Sequence, residues 1–252
     1  MAEEEKVVET KETETCEKTS KKDAIIEVFT VILLGITALL TAWASYVGSI
    51  HGGNQATNYA KSNNLSADGN SMYNEAAMKV MQDMQLWNQI SEYQVEMLYA
   101  ESIGDEDTLE EAAYKMLFVG NDSIPDYMAE EIGWSYDFEN SADVIAWLDL
   151  DEAMISPFTD EEFKESYYDE AREVLAESTE ALTQGQQDNA NGDKFTLVTV
   201  IYSVVLFLLG IVGVFKITRN KTIVLIISVV ALIAAVVFMF TIPLPTSGGI
   251  FG

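Results

Sequence analysis

Apolar residues along this chain are concentrated in three uninterrupted blocks, separated by a long stretch in which they recur singly at helical spacing. Ala24 to Val47 reads AIIEVFTVILLGITALLTAWASYV, Phe195 to Phe215 reads FTLVTVIYSVVLFLLGIVGVF, and Thr222 to Ile242 reads TIVLIISVVALIAAVVFMFTI. A helix rising about 1.5 Å per residue needs about 20 residues to cross a hydrocarbon core of about 30 Å, so each block predicts a transmembrane helix. The second and third carry no charged residue. The first carries only Glu27, close enough to its end for the carboxylate to reach the headgroups.

The patterned stretch predicts two long amphipathic helices. From about Ser71 to Ser102, Met72, Ala76, Val80, Met84, Trp87, Ile90, Val95 and Leu98 fall at three- to five-residue spacing. From about Thr159 to Gln187, Phe163, Tyr167, Ala171, Val174, Leu175, Ala181 and Leu182 do the same, and Thr159 with Glu162 predicts a capping box after Pro157. Matched lengths, each rooted near a span, predict an antiparallel stalk of roughly 45 Å. Residues 104–157 between them predict a cap: a short helix from Thr108 to Phe118 closed by Gly120, then an irregular aromatic-rich segment. Its rings, Tyr127, Trp134, Tyr136, Phe138 and Trp147, are candidates for partner contact, because loops on a rigid scaffold often carry recognition. The simpler expectation is that they fill the cap's own core. The fold class expected is all-α: three transmembrane helices plus an extracytoplasmic antiparallel helical hairpin with a small capping subdomain.

Charge sets the predicted topology. Lys6, Lys11, Lys18, Lys21 and Lys22 precede the first span, and Lys216, Arg219 and Lys221 fill the turn 216–221 between the second and third. Short basic flanks stay cytoplasmic, so both belong inside, which agrees with three spans. Residues 48–194 are then extracytoplasmic, as is the tail 243–252, while 1–23 form a disordered cytoplasmic tail rich in Glu, Lys and Thr. Ala42-Trp43-Ala44 also fits the small-x-small pattern of a signal-peptidase site, but the apolar run before it is longer than a signal core, and the segment reads as an uncleaved span. Between His51 and Lys194 stand 32 acidic residues against 6 basic ones, nearly all of the chain's net charge of −27. Such a field excludes nucleic acid as a partner and attracts cations only weakly. With 12 lysines against 2 arginines, the balance is not the lysine-poor one of a halophile.

Catalytic, cofactor and metal-binding patterns are missing from the sequence. His51 is the only histidine and Cys16 the only cysteine, which leaves no material for a histidine-clustered zinc site or an intrachain disulfide. No Walker A or G-x-G-x-x-G stretch occurs. Asp105-Glu106-Asp107 and Asp149 to Glu152 lack the EF-hand's glycine and distal glutamate and read as surface acids. Asn64-Leu65-Ser66 and Asn121-Asp122-Ser123 match the glycosylation triplet, which also arises by chance. His51 itself is expected at the membrane interface. On the first span Thr30, Thr37, Thr41, Ser45 and Gly48 form a small, hydroxyl-bearing stripe, a helix-packing face or alternatively the lining of a pore. No ionisable residue falls at mid-membrane, which argues against an ion-coupled transporter.

Two membrane-proximal segments, Thr41 to Asn63 and Asn191 to Gly213, resemble a group of prokaryotic membrane proteins of no assigned activity. The likeness rests on Trp43, Gly52, Gly53, Gln55 and Ala56 after the first span and on Asp193, Leu206, Phe207, Leu208 and Gly210 at the second. It implies one N-terminal span, a helical hairpin domain, two C-terminal spans and a prokaryotic membrane. Gly52 and Gly53 are expected to let the chain bend as it leaves the bilayer. The function expected is that of a non-enzymatic multi-pass scaffold or accessory protein of the cell membrane, in a homo-oligomer or larger complex. The alternative is an oligomeric cation channel lined by the Thr37, Thr41 and Ser45 face.

Overall fold

A computed structural model describes the backbone of residues 2–245 and the side chains of residues 22–245; most of the tail assigned to residues 243–252 lies outside them. Among the described residues seven α-helices follow in order: α1 (Ala2–Ile103), α2 (Glu106–Ser123), α3 (Asp126–Glu131), α4 (Ser141–Leu148), α5 (Glu161–Ser166), α6 (Asp169–Val212) and α7 (Thr218–Phe240). Short 3-10 turns stand at Glu152–Met154 and Pro157–Thr159, and no strand occurs among the described residues. Three helices are long and apolar enough to cross a membrane: α1, α6 and α7. The chain divides into two compact units, residues 1–62 with 180–252, and residues 63–179.

The first unit contains the apolar stretches of all three helices. Their buried positions alternate by three and four residues: Phe195, Val198, Tyr202, Val205, Leu209 and Val212 on α6, and Lys221, Leu225, Ser228, Leu232, Ala235 and Met239 on α7. On α1, Thr30, Thr37, Ala44 and His51 are all buried and each lies seven residues from the next. A 3.5-residue repeat is the pattern of coiled-coil-like packing, in which each seam keeps facing its neighbours. The opposite faces are apolar as well: Ile25, Val31, Leu39, Phe207 and Phe240 are all exposed, as helices solvated by lipid require. Close approach of α1 to α6 is marked by Gly48, where a Cβ would stand 3.2 Å from that of Phe195.

The second unit is built on residues 63–103 of α1 and 169–179 of α6, with α2 to α5 between them in sequence. Trp87, Ile90 and Met97 of α1, Met116 and Leu117 of α2, Met128 of α3 and Val144 and Trp147 of α4 share one core. Aromatic stacking joins Tyr73 to Tyr168 at a centroid distance of 4.6 Å. α1 ends in a Schellman motif: Gly104 N–H donates to Glu101 O, Asp105 N–H to Ala100 O, and Gly104 adopts φ +71°. The end of α3 repeats the device with Gly133 at φ +64°.

Several boundaries differ from the sequence expectation. The link of residues 48–70, expected to separate the first span from a helix starting near Ser71, is helical, and α1 runs through it without a break. Gly52 and Gly53 lie inside this helix with nothing within 4 Å of a built Cβ, so they neither bend the chain nor serve a close contact. Gly120 does not close α2, which continues to Ser123. A Cβ at Gly120 would overlap the indole of Trp134, so the glycine is there to admit that ring. The helix expected over 159–187 is interrupted at Tyr167 and Tyr168, and the polar link of residues 188–194 belongs to α6. Its cap is Asp160, whose carboxylate accepts from Glu162 N–H at 2.8 Å, while the Thr159 hydroxyl donates to Ser156 O.

Candidate functional site

The aromatic side chains predicted for partner contact divide sharply by burial. Trp147, 1% exposed, donates its indole N–H to Ile132 O at 2.8 Å, and it meets Trp134 edge-on at 5.0 Å. Trp134 is buried too, donates to Asn121 Oδ1 at 3.3 Å, and packs edge-on with Phe138. Both indoles have their polar edge satisfied and their faces covered, which removes Trp134 and Trp147 from any contact surface. Phe138 is partly buried against the same core, and Tyr136, partly exposed, donates to Ile124 O at 2.7 Å.

Tyr127 belongs to a buried polar cluster. Its hydroxyl and that of Tyr167, the latter at 2.8 Å, both donate to Asp83 Oδ2 on α1. Burial, and then the Asp83 carboxylate, push both phenols well above the usual tyrosine range. The Lys79 ammonium stands 4.6 Å from the Tyr127 ring centroid, a cation–π contact at the mouth of an open cleft shared with Ser166 and Glu170. Two phenol donors on one carboxylate tie α1 to α3 and to the C-cap of α5. Held in their neutral forms, these tyrosines act as hydrogen-bond donors to the carboxylate.

Among the side chains that the second unit exposes are two rings on α2. Tyr114 and Phe118, one turn apart, are 65% and 71% exposed. With Leu117, Asn121, Asp122 and Glu139 they line an open depression of about 360 Å³. Periodicity alone could have found them: when Ala112, Ala113, Met116 and Leu117 are assigned to the core, Tyr114 and Phe118 fall on the other side of α2. On the same helix, Glu111 raises the affinity of Lys115 for its proton, and Asp105 caps the helix, its carboxyl held below the ordinary range by the Thr108 hydroxyl and backbone N–H. Asp105 is thus committed to a helix end. Among the described residues no group of three or more His, Cys, Asp or Glu is placed to hold a metal ion.

In the first unit, the small-residue stripe turns partly inward. Thr30 and Thr37 are buried in the three-helix core, Thr41 and Gly48 lie at its margin, and Ser45 is exposed. The hydroxyls of Thr30, Thr37 and Thr41 all donate to carbonyls four residues back in α1, at 2.7 to 2.8 Å, so they are satisfied within their own helix. At the Lys221 end, the side chain of that lysine, 8% exposed, donates to Glu27 Oε1 at 3.0 Å.

His51, expected at the membrane interface, is buried within the protein. Its Nδ1 lies 2.9 Å from Asp188 Oδ1 and its Nε2 lies 3.1 Å from Pro243 O, with the Phe195 ring stacked on it. The other oxygen of Asp188 accepts from Asn58 Nδ2 at 3.1 Å and from Gln184 Nε2 at 3.4 Å. Asp188 was not among the residues singled out from the sequence, since 137 residues separate it from His51. No protein-family model, curated protein or solved structure matches this chain.

Proposed function

We propose that this protein is a non-enzymatic membrane scaffold or accessory protein whose acidic helical domain, a hairpin with a small cap, lies outside the cytoplasm and presents the outer face of α2 to a partner. The observation that carries this reading is the exposed pair Tyr114 and Phe118 beside Asp122 and Glu139, in a unit whose cap indoles, Trp134 and Trp147, are buried. Exposed aromatic anchors with a polar rim are the usual makeup of a contact surface, and the surrounding acid favours a partner that brings Lys or Arg. The three-span layout implied by the family resemblance fits the same reading. The channel alternative gains no support from the Thr30 and Thr37 hydroxyls, which are buried and bonded within α1.

A photo-crosslinking residue at Phe118, in the full chain in its native membrane, is expected to yield one discrete adduct. The adduct is expected to disappear on Tyr114→Ser, and none should form from the same probe at Glu131 on α3. Equal adducts from both positions, or none from Phe118, would overturn the reading.

A further inference from the structure

We propose that His51 and Asp188 form a proton-operated latch that holds the segment following α7 against the end of the three-helix unit. Both ring nitrogens of His51 lie at hydrogen-bond distance from oxygen: Nδ1 from Asp188 Oδ1 and Nε2 from the Pro243 carbonyl. A carbonyl only accepts, so the Pro243 contact requires a hydrogen on Nε2. The Asp188 contact then requires a second hydrogen between Nδ1 and Oδ1, whichever of the two carries it. The pair therefore holds one proton more than a neutral imidazole beside an ionised carboxylate.

Loss of that proton breaks one of the two contacts. A neutral ring has a single N–H, and the bond to the carboxylate is the stronger, charge-assisted one. The hydrogen consequently stays on Nδ1, and Nε2 presents a lone pair to the carbonyl oxygen of Pro243. The attraction at 3.1 Å becomes a repulsion, and residues 241–245 lose their polar tether to α1. The surroundings leave the proton no other holder. From α6 only Asp188 reaches the ring; Asp193 and Lys194 are exposed and engaged with Asn189 and Asn191. α1 carries no charged side chain between Glu27 and Lys61, and residues 241–245 carry none at all. Burial of His51 and Asp188, both under 5% exposed, makes the unpaired arrangement costly. The latch is closed in acid and opens as the pH of the aqueous phase at that end of the unit rises.

Because His51 is the only histidine, nitrogen NMR of the full chain with labelled histidine in lipid nanodiscs reads the ring without ambiguity. A spin label at Leu244→Cys, in a Cys16→Ser background, reads the tethered segment in the same samples; Leu244 is exposed and free to carry it. The expected result is that the label is immobilised while both ring nitrogens are protonated and becomes mobile over the pH range in which Nε2 loses its hydrogen. In His51→Gln the change in label mobility should be lost. In Asp188→Asn, which keeps an oxygen acceptor but not the charge, it should move to lower pH. An Nε2 unprotonated at every pH, a label indifferent to ring titration, or an undiminished mobility change in both variants would overturn the latch.

Discussion

Asp83 shows how a single polar residue on a patterned helix can organise its surroundings. It sits among the core positions of α1, where a carboxylate is tolerated only if its oxygens are satisfied, and Tyr127 and Tyr167 supply the donors. Both phenols are held above their ordinary range by burial and by that carboxylate, so the folded unit favours their neutral forms. The stability this contributes is fully present below the unfolded tyrosine value of about 10 and is lost as pH rises toward the folded values. Thermal unfolding of the purified protein at increasing alkaline pH should show that decline, and Tyr127→Phe or Tyr167→Phe should flatten it. An alkaline slope unchanged in both variants would contradict the assignment. Little of this cluster was legible from the sequence, because periodicity marks a position as buried without saying which distant hydroxyl will meet it. His51 was read from the sequence only as a residue of the membrane interface; the structure sets it on the buried face of α1, seven residues beyond Ala44 in the series Thr30, Thr37, Ala44.

Among the elements, the apolar blocks were readable because twenty uncharged residues in a row have one stable solution in lipid, a helix with its backbone bonds closed internally. The continuity of α1 was not. A glycine pair reads as a break when only local propensity is weighed, at a cost of about 1 kcal/mol per glycine relative to alanine. Here Ala44, Val47 and His51 before the pair and Ser62 after it are buried, and that packing carries the helix through. The ion pair between α1 and α7 is asymmetric in the same way. Lys221 is 8% exposed and Glu27 58% exposed, so removing the carboxylate strands a buried ammonium, whereas removing the ammonium leaves a carboxylate that water can solvate. Glu27→Ala is expected to cost about 1–3 kcal/mol of stability, and Lys221→Met within about 1 kcal/mol. Thermal unfolding in lipid would measure both, and the reverse order would count against the pairing.

On the scale of the whole molecule, charge and hydropathy divide the chain more cleanly than any motif does. Basic residues flank the first span and fill the turn between the second and third, while the segment between the first two spans carries nearly all the net negative charge. By the positive-inside rule, that asymmetry is the ground for the proposed arrangement, with the acidic unit outside and Cys16 inside. Within the acidic unit, the sequence offered the irregular, aromatic-rich segment as a candidate contact surface, with filling of the cap's own core as the simpler expectation. Its indoles meet the simpler expectation: Trp134 fills the space at Gly120, and Trp147 donates to the Ile132 carbonyl. The most exposed rings of the unit, Tyr114 and Phe118, lie on α2, a regular helix with no loop-like signal. The most direct test of the arrangement is thiol labelling of intact cells with a membrane-impermeant maleimide, comparing the natural chain with Glu131→Cys. The account predicts that the natural chain, with Cys16 in the cytoplasm, labels only after permeabilisation, whereas Glu131→Cys labels at once. Labelling of Cys16 from outside, with Glu131→Cys gaining nothing until the membrane is opened, would place the acidic unit in the cytoplasm and contradict the account.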